Sequence, residues 1–242
     1  ASLFSAIPFY LSGVFNSPLN AFFESVSGLT TTGATAINSL EYISYSILFW
    51  RSFIHWIGGM GIIAMVIVLM PELTGNIHLY SRENTGFFEN RIKAKIKDTA
   101  SLIIFIYGFF TFMEIILLYY FGMPLFDSII HSFGTISTGG FSLSPFSIKI
   151  YNNLKLEIIV IAFMFLSGIN FSLYYALKNK KNSFFKNEEL RFYIIIIIIF
   201  TLAITININS KIYKNIFESF RYAIFQVISV ITTTGYATIN FD

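Results

Sequence analysis

The sequence predicts an all-α membrane protein built from repeated units, each made of a helix, a short re-entrant helix, a Thr-Gly segment and a second helix. Two observations lead to this class. Of the 242 residues, 55% are hydrophobic and only 12% are charged, whereas an ordinary soluble domain has about 25% charged residues. In addition, a Thr-Gly pattern recurs around residues 33, 139 and 235, which indicates a repeat of about a hundred residues.

Four stretches are apolar enough to cross a bilayer, which requires about 20 residues. They are residues 52–70, 99–120, 158–177 and 192–210. Ser2–Leu11 is expected to be the tail of a further spanning helix. The protein has no cysteine, which excludes thiolate metal sites, and a net charge of only +3 argues against a nucleic-acid binder.

The basic residues indicate which connections face the cytoplasm. Ten of the 16 Lys and Arg residues lie in 72–98 and 178–191, and cytoplasmic loops are enriched in these residues. The stretches 12–50, 121–157 and 211–242 are then expected on the opposite side. Each of them contains one copy of the Thr-Gly pattern.

Each copy follows a predicted short helix. Ser17 can cap such a helix with Pro18 in its first position, and Pro124 can open another. A helix of about 12 residues is too short to span, so it must dip into the membrane and return. Non-helical backbone is tolerated at that depth only where it is buried in protein or lines water.

The chemistry of the Thr-Gly segments favours a cation. Glycine permits backbone conformations that are closed to other residues, and carbonyl rings can replace the hydration shell of a monovalent ion. The negative, C-terminal ends of the short helices would point in the same direction. A single Thr-Gly segment would be ordinary turn sequence, but three copies on one side favour an aqueous path.

Alternatives are a non-conducting membrane scaffold and an intramembrane enzyme. An enzyme needs a nucleophile with its base, or paired acids, and Glu114 has no evident partner in its span. His55, His78 and His131 show no metal-ligand spacing. No catalytic residue and no cofactor are therefore predicted. Arg51 and Trp56, near the start of a span, are expected to be interfacial anchors.

The segments 27–35 (Ser-Gly-Leu-Thr-Thr-Thr-Gly-Ala-Thr), 137–142 (Ser-Thr-Gly-Gly-Phe-Ser) and 231–238 (Ile-Thr-Thr-Thr-Gly-Tyr-Ala-Thr) resemble the first three filter loops of the Trk/Ktr/HKT superfamily of potassium-ion transporters. The segments 49–61 and 167–171 resemble the helices that follow the first and second filters. The closest resemblance is to the bacterial Trk membrane subunit (TrkH/TrkG type), and it covers essentially the whole chain.

The resemblance implies helix–pore loop–helix units around a pseudo-fourfold pore that conducts dehydrated potassium. Gly33, Gly139 and Gly235 would be the key filter glycines. The filter carbonyls implied with them belong to Thr31, Thr32, Ser137, Thr138, Thr233 and Thr234. Whether uptake is channel-like or a symport with sodium or protons stays open.

The resemblance also implies the organisation of the chain and its partners. About two and a half of four units are expected: a first pore unit (1–71), a cytoplasmic linker (72–98), a second unit (99–177), a linker (178–191) and a third unit (192–242). The first helix is expected to be truncated and the last one absent, as in a fragment. A bacterial inner-membrane location, a homodimer and a cytoplasmic nucleotide-binding regulatory ring follow from the family.

Overall fold

The computed structural model describes residues 1–37, 39–40, 42–73, 85–144, 147–171, 173–174, 186–209 and 215–238, with side chains outside 62–99. The regular elements in this part of the chain are helices, which confirms the predicted all-α class. They are α1 (Ser2–Leu11), α2 (Pro18–Leu29), α3 (Tyr45–Leu73), α4 (Thr85–Tyr120), α5 (Leu125–Ile136), a 3₁₀ helix (Ser147–Tyr151), α6 (Leu154–Ser167), α7 (Glu188–Ile208) and α8 (Ile216–Ile231).

Two helical segments of the described residues, Ala100–Tyr120 and Glu188–Ile208, are each 21 residues long and apolar enough to cross a membrane. They agree with two of the predicted spans. On α7, Phe192 and Ile206 are 65% and 75% exposed, as expected of side chains that contact lipid. The helix α3 has 29 residues, includes the predicted span 52–70 and continues past Pro71.

The predicted span 158–177 is wrong, because α6 ends at Ser167 and a turn follows at Gly168. Other elements approach this turn closely. A Cβ atom on Gly168 would lie 2.6 Å from the Tyr193 hydroxyl and 2.7 Å from the Thr232 methyl group. An apolar sequence therefore continues through a position where tertiary packing breaks the helix.

The predicted linkers are only partly covered by the structure. Residues 74–84 and 175–185 lie outside the described residues, so the basic connections are not seen in full. The helix α4 begins at Thr85, which places the second half of the predicted linker 72–98 in a helix. The helix α7 starts at Glu188, within the segment 178–191 that is predicted as the second linker.

Each short helix packs against the flanking helices of its own unit. The helix α2 packs against α1 and α3, α5 packs against α4 and α6, and α8 packs against α7. Successive units then meet through the second helix of the preceding unit, since α3 packs against α4 and α5, and α6 packs against α8. This order arranges the three short helices and the segments after them side by side.

The starts of the short helices follow the sequence signals. Ser17 precedes α2, with Pro18 in the first position, and Pro124 precedes α5. The helix α8 starts after Asn215, whose side chain accepts a hydrogen bond from the Phe217 amide at 2.9 Å. This helix has 16 residues rather than the expected dozen or so, and α2 and α5 have 12 each.

Candidate functional site

The three segments that follow the short helices have the same backbone conformation. The helices end at a cap residue, and the next residue is a threonine in the left-handed region: Thr31 (φ 55°), Thr138 (φ 53°) and Thr233 (φ 61°). A β-branched residue rarely adopts a positive φ, and strained residues of this kind cluster at functional sites. Three equivalent cases mark these segments, which we call loop 1 (30–35), loop 2 (137–142) and loop 3 (232–238), as a candidate site.

The backbone hydrogen bonds fix the register of the loops. The left-handed threonines donate to the carbonyls of Gly28, Thr135 and Val230, at 3.1, 3.0 and 3.0 Å. One residue later, Thr32 donates to Ser27 and Gly139 donates to Gly134, both at 3.0 Å. The equivalent positions in the three loops are therefore 31, 138 and 233, followed by 32, 139 and 234.

This register changes the assignment of the glycine in loop 2. The left-handed glycines of the three loops are Gly33 (φ 77°), Gly140 (φ 78°) and Gly235 (φ 75°). Each lies two residues after a left-handed threonine. The sequence pattern predicts Gly139 as the equivalent of Gly33 and Gly235, which is one residue too early. By the same shift Ser137 caps its helix and matches Thr30 and Thr232 rather than Thr31.

The loops lie in contact, in chain order. A Cβ atom on Gly33 would overlap the carbonyl oxygen of Gly139, and one on Gly140 would overlap the carbonyl oxygen of Thr234. Each of these glycines therefore packs on the carbonyl that precedes the left-handed glycine of the next loop. On the side of Gly235, no described atom lies within 4 Å of such a Cβ.

Loops 1 and 3 are tied to their own helices by the same hydroxyl contacts. Ser27 donates to the carbonyl of Ala34 at 2.6 Å, and Ser229 donates to that of Tyr236 at 2.7 Å. Both carbonyls follow the left-handed glycine directly. The threonine hydroxyls also pair within each loop, Thr30 with Thr32 at 2.8 Å and Thr232 with Thr234 at 2.9 Å.

A buried ion pair between α2 and α3 contacts loops 1 and 2. Arg51 on α3 contacts Glu24 on α2 at 2.6 Å, and their side chains are 4% and 0% exposed. Glu24 also accepts hydrogen bonds from the Thr35 hydroxyl at 3.0 Å and the Ala36 amide at 2.8 Å, where the chain leaves loop 1.

Arg51 extends this network to loop 2. Its Nη1 donates to the carbonyl of Ser142 at 3.2 Å, and its guanidinium lies 3.4 Å from the centre of the Phe141 ring. The expectation that Arg51 is an interfacial anchor is therefore wrong. Sequence reasoning missed its role because Glu24 is 27 residues away and has no local pattern that links it to Arg51.

A second ion pair joins the second and third units. Arg221 on α8 contacts Glu157 on α6 through two bonds of 2.6 Å, and its side chain is 19% exposed.

At the start of α5, Asp127 accepts a hydrogen bond from Tyr151 at 2.6 Å. Burial and this carboxylate raise the pKa of Tyr151, so its hydroxyl remains a donor.

Glu114 on α4 is fully buried, and its carboxyl oxygens have no hydrogen-bond partner among the described residues. It lies near Thr135 on α5 and Tyr236 of loop 3, so its buried carboxyl group is close to the residues around loops 2 and 3. His55 contacts the ring of Phe141, and His131 contacts that of Tyr236, so both histidines belong to the packing around the loops.

A cavity of about 290 Å³ lies beside the helix ends that precede loops 1 and 2. Its wall includes Thr31 and Thr138 and also the helix break at Gly168 and Asn170. Asn170 donates to Glu189 on α7 at 3.3 Å, as expected of a polar residue between spans, whereas Ser167 bonds to Phe163 in its own helix. The break in α6 thus provides polar groups next to the loops.

The family model of a cation transport protein, TrkH, matches residues 7–242. The chain belongs to the TrkH family. This confirms the resemblance drawn from the loops, and it agrees with the prediction that the chain is not an enzyme, because the family is one of transport proteins.

Named relatives agree with this assignment. The chain is 36% identical to the Trk system potassium uptake protein TrkH of Salmonella typhimurium over 96% of its own length and 50% of that protein. It is 32% identical to TrkG of Escherichia coli over 99% of its own length and 50% of that protein. The chain thus spans about half the length of these relatives.

A solved structure shares the fold. The potassium transporter TrkH from Vibrio parahaemolyticus superimposes with a TM-score of 0.84 at 31% identity, over 98% of this chain and 49% of that one. The TrkH-like fold of repeated units is therefore established for this chain by both sequence and structure.

Proposed function

We propose that this chain forms part of the wall of a potassium uptake pathway, in which dehydrated K⁺ ions pass a filter of backbone carbonyls from loops 1, 2 and 3. One observation supports this most directly: three threonines with the same left-handed conformation occur in three loops that contact one another. The proposed filter residues are Thr31, Thr32, Gly33, Thr138, Gly139, Gly140, Thr233, Thr234 and Gly235, with Ser137 as a helix cap.

The local chemistry suits a hard monovalent cation. Backbone carbonyls replace water around such an ion. All three loops have a left-handed threonine followed two positions later by a left-handed glycine, so they present similar backbone to the ion. The loops also begin at helix C-termini, whose partial negative charge favours a cation. The relatives named as potassium uptake proteins favour K⁺ over other ions.

The orientation and the partners belong to the same proposal. The relatives are membrane transporters, and the apolar helices α4 and α7 fit a bilayer. We place the basic stretches 72–98 and 178–191 in the cytoplasm and the loops on the outer side, because basic connections stay inside. A homodimer and a cytoplasmic nucleotide-binding ring are proposed from the family alone.

Uptake of rubidium and sodium by the intact protein, in cells without their own potassium uptake, tests the filter. A serine at Gly33 would be strained at φ 77° and would overlap the carbonyl of Gly139. We expect Gly33→Ser to reduce the Rb⁺/Na⁺ uptake ratio about tenfold or more, since a left-handed side chain costs about 1–2 kcal/mol. Gly108→Ser is the control, because no atom of the described residues lies within 4 Å of a Cβ atom there.

The register of loop 2 has its own test. A Cβ atom on Gly139 would overlap the ring of His55, whereas one on Gly140 would overlap the Thr234 carbonyl. We therefore expect His55→Ala to restore part of the uptake lost in Gly139→Ala and none of that lost in Gly140→Ala. Equal uptake by Gly33→Ser and wild type would overturn the filter proposal, and rescue of Gly140→Ala would overturn the register.

A further inference from the structure

Loop 2 differs from loops 1 and 3 in the hydroxyl that holds it. In loops 1 and 3 a serine of the preceding helix, Ser27 or Ser229, donates to the carbonyl after the left-handed glycine. The equivalent position in α5 is Gly134, as the hydrogen bonds Thr32 to Ser27 and Gly139 to Gly134 show. Gly134 has no side chain, so α5 provides no such donor.

A tyrosine from loop 3 occupies this place. The hydroxyl of Tyr236 lies 3.2 Å from the carbonyl oxygen of Phe141, which is the carbonyl that follows Gly140, and 3.1 Å from that of His131. The His131 carbonyl already accepts the Thr135 hydroxyl at 2.8 Å. The Tyr236 hydroxyl has a single proton, and we therefore assign its hydrogen bond to the Phe141 carbonyl.

The glycine and the tyrosine are sterically complementary. A Cβ atom on Gly134 would overlap the Tyr236 hydroxyl and would lie 3.2 Å from its Cζ and 2.9 Å from the Phe141 oxygen. The side chain of Tyr236 is fully buried. The hydroxyl thus fills the space that a serine side chain takes in the other two loops.

Phe141 occupies the position of loop 2 that is equivalent to Tyr236 in loop 3. Phe141 also reaches back into the preceding unit, where its ring contacts Arg51 and His55. It has no hydroxyl, and the loop it reaches, loop 1, has its own serine, Ser27. Of these two equivalent positions, the tyrosine therefore occurs at 236, whose side chain reaches the loop without a serine, and the phenylalanine occurs at 141, whose side chain reaches a loop with one.

We infer that Tyr236, which belongs to the third unit, is a positioning residue for loop 2. Its hydroxyl holds loop 2 in the same register as loops 1 and 3. This inference rests on the proposed function. It makes ion selection at loop 2 depend on loop 3, since the carbonyl after Gly140 loses its hydroxyl donor when Tyr236 is changed.

The first test is Tyr236→Phe, which keeps the ring and removes the hydroxyl. Loss of a donor to a buried carbonyl is expected to lower the Rb⁺/Na⁺ uptake ratio about fivefold. Tyr174→Phe is the matched control, because it removes a hydroxyl that donates to the Leu166 carbonyl at 2.7 Å, which is a helix carbonyl and not a loop carbonyl. An unchanged ratio in Tyr236→Phe would overturn the inference.

The second test uses the missing serine. Gly134→Ser alone is expected to damage selectivity and lower the unfolding temperature, because the new side chain overlaps the Tyr236 hydroxyl. In the Tyr236→Phe background the same change is expected to improve both relative to Tyr236→Phe alone, because the serine can donate to Phe141 once the carbonyl oxygen, 2.9 Å from the new Cβ atom, moves by a few tenths of an ångström. If adding Gly134→Ser to Tyr236→Phe improves neither property, the serine does not replace the tyrosine hydroxyl and the inference fails.

The two proposals can fail separately. Absence of rubidium uptake by the membrane-inserted wild type would contradict the potassium proposal. Thermal unfolding of the purified variants would then still decide the inference, since the opposite effects of Gly134→Ser in the two backgrounds do not require an ion. Normal wild-type uptake with an unchanged ratio in Tyr236→Phe would refute the inference alone.

Discussion

Glu24 is the carboxylate that fixes the exit of loop 1, and Glu24→Gln is the change that tests its importance. The carboxylate contacts three groups: Arg51 at 2.6 Å, the Ala36 amide at 2.8 Å and the Thr35 hydroxyl at 3.0 Å. Glutamine has nearly the same shape but only one acceptor oxygen. Its amide nitrogen must therefore face at least one donor, and the charge of Arg51 loses its partner.

The magnitude follows from burial. The side chain of Glu24 is 0% and that of Arg51 4% exposed, so water cannot replace the lost carboxylate. Removal of one partner from a buried pair destabilises a protein by about 3–5 kcal/mol. Arg51 also bonds to the Ser142 carbonyl, so we expect both loops to shift and the Rb⁺/Na⁺ uptake ratio to fall together with stability.

Glu157→Gln is the matched control. It breaks the pair with Arg221, which has two bonds of 2.6 Å but an arginine side chain that is 19% exposed. Glu157 is itself only 3% exposed, but water reaches part of the Arg221 side chain, so we expect a smaller cost than for Glu24→Gln. Thermal unfolding of purified protein, with rubidium and sodium uptake in cells, measures both effects.

Two results would refute this reasoning. If Glu24→Gln and Glu157→Gln lower the unfolding temperature equally, burial does not determine the strength of the first pair. If Glu24→Gln unfolds at a lower temperature but keeps the wild-type uptake ratio, the pair stabilises the fold without positioning the loops.

Two further changes test packing around the loops. Gly58→Ala should reduce the amount of folded protein in the membrane, because its methyl group would overlap the backbone of Leu29, which cannot rotate away. Gly61→Ala, where no described atom lies within 4 Å of the new methyl group, should leave that amount unchanged. Equal yields of the two variants would contradict the packing. Ser27→Ala should lower the Rb⁺/Na⁺ uptake ratio and reduce stability by about 1–3 kcal/mol, because the Ala34 carbonyl loses its hydrogen-bond donor. A wild-type uptake ratio in this variant would exclude a role for the hydrogen bond in ion selection.

Much of the fold could be predicted from local signals. Apolar length predicted α4 and α7, proline and cap residues predicted the starts of α2 and α5, and the recurring Thr-Gly pattern predicted three equivalent loops. These features depend on residues close together in sequence. The break after Ser167 was not predicted in this way, and it lies where Tyr193 and Thr232, both distant in sequence, approach Gly168.

The details of the site depend on distant residues. Loop 2 contains two adjacent glycines, and only the backbone of the structure, through the φ of Gly140 and the hydrogen bonds to Gly134, shows which of them matches Gly33 and Gly235. The pairing of Glu24 with Arg51 and the reach of Tyr236 into the second unit also join residues far apart in the chain. Sequence pattern identified the loops correctly, but it could not show what holds them.

Anomalous diffraction from crystals of the intact protein grown in rubidium would examine the proposed filter itself. A potassium filter predicts Rb⁺ density between loops 1, 2 and 3, bound by carbonyl oxygens that include those of Thr32, Gly139 and Thr234. It also predicts that this density remains when an excess of sodium is added to the rubidium. Well-ordered loops with no Rb⁺ between them, or Rb⁺ bound elsewhere in the protein, would contradict a potassium filter built from these carbonyls.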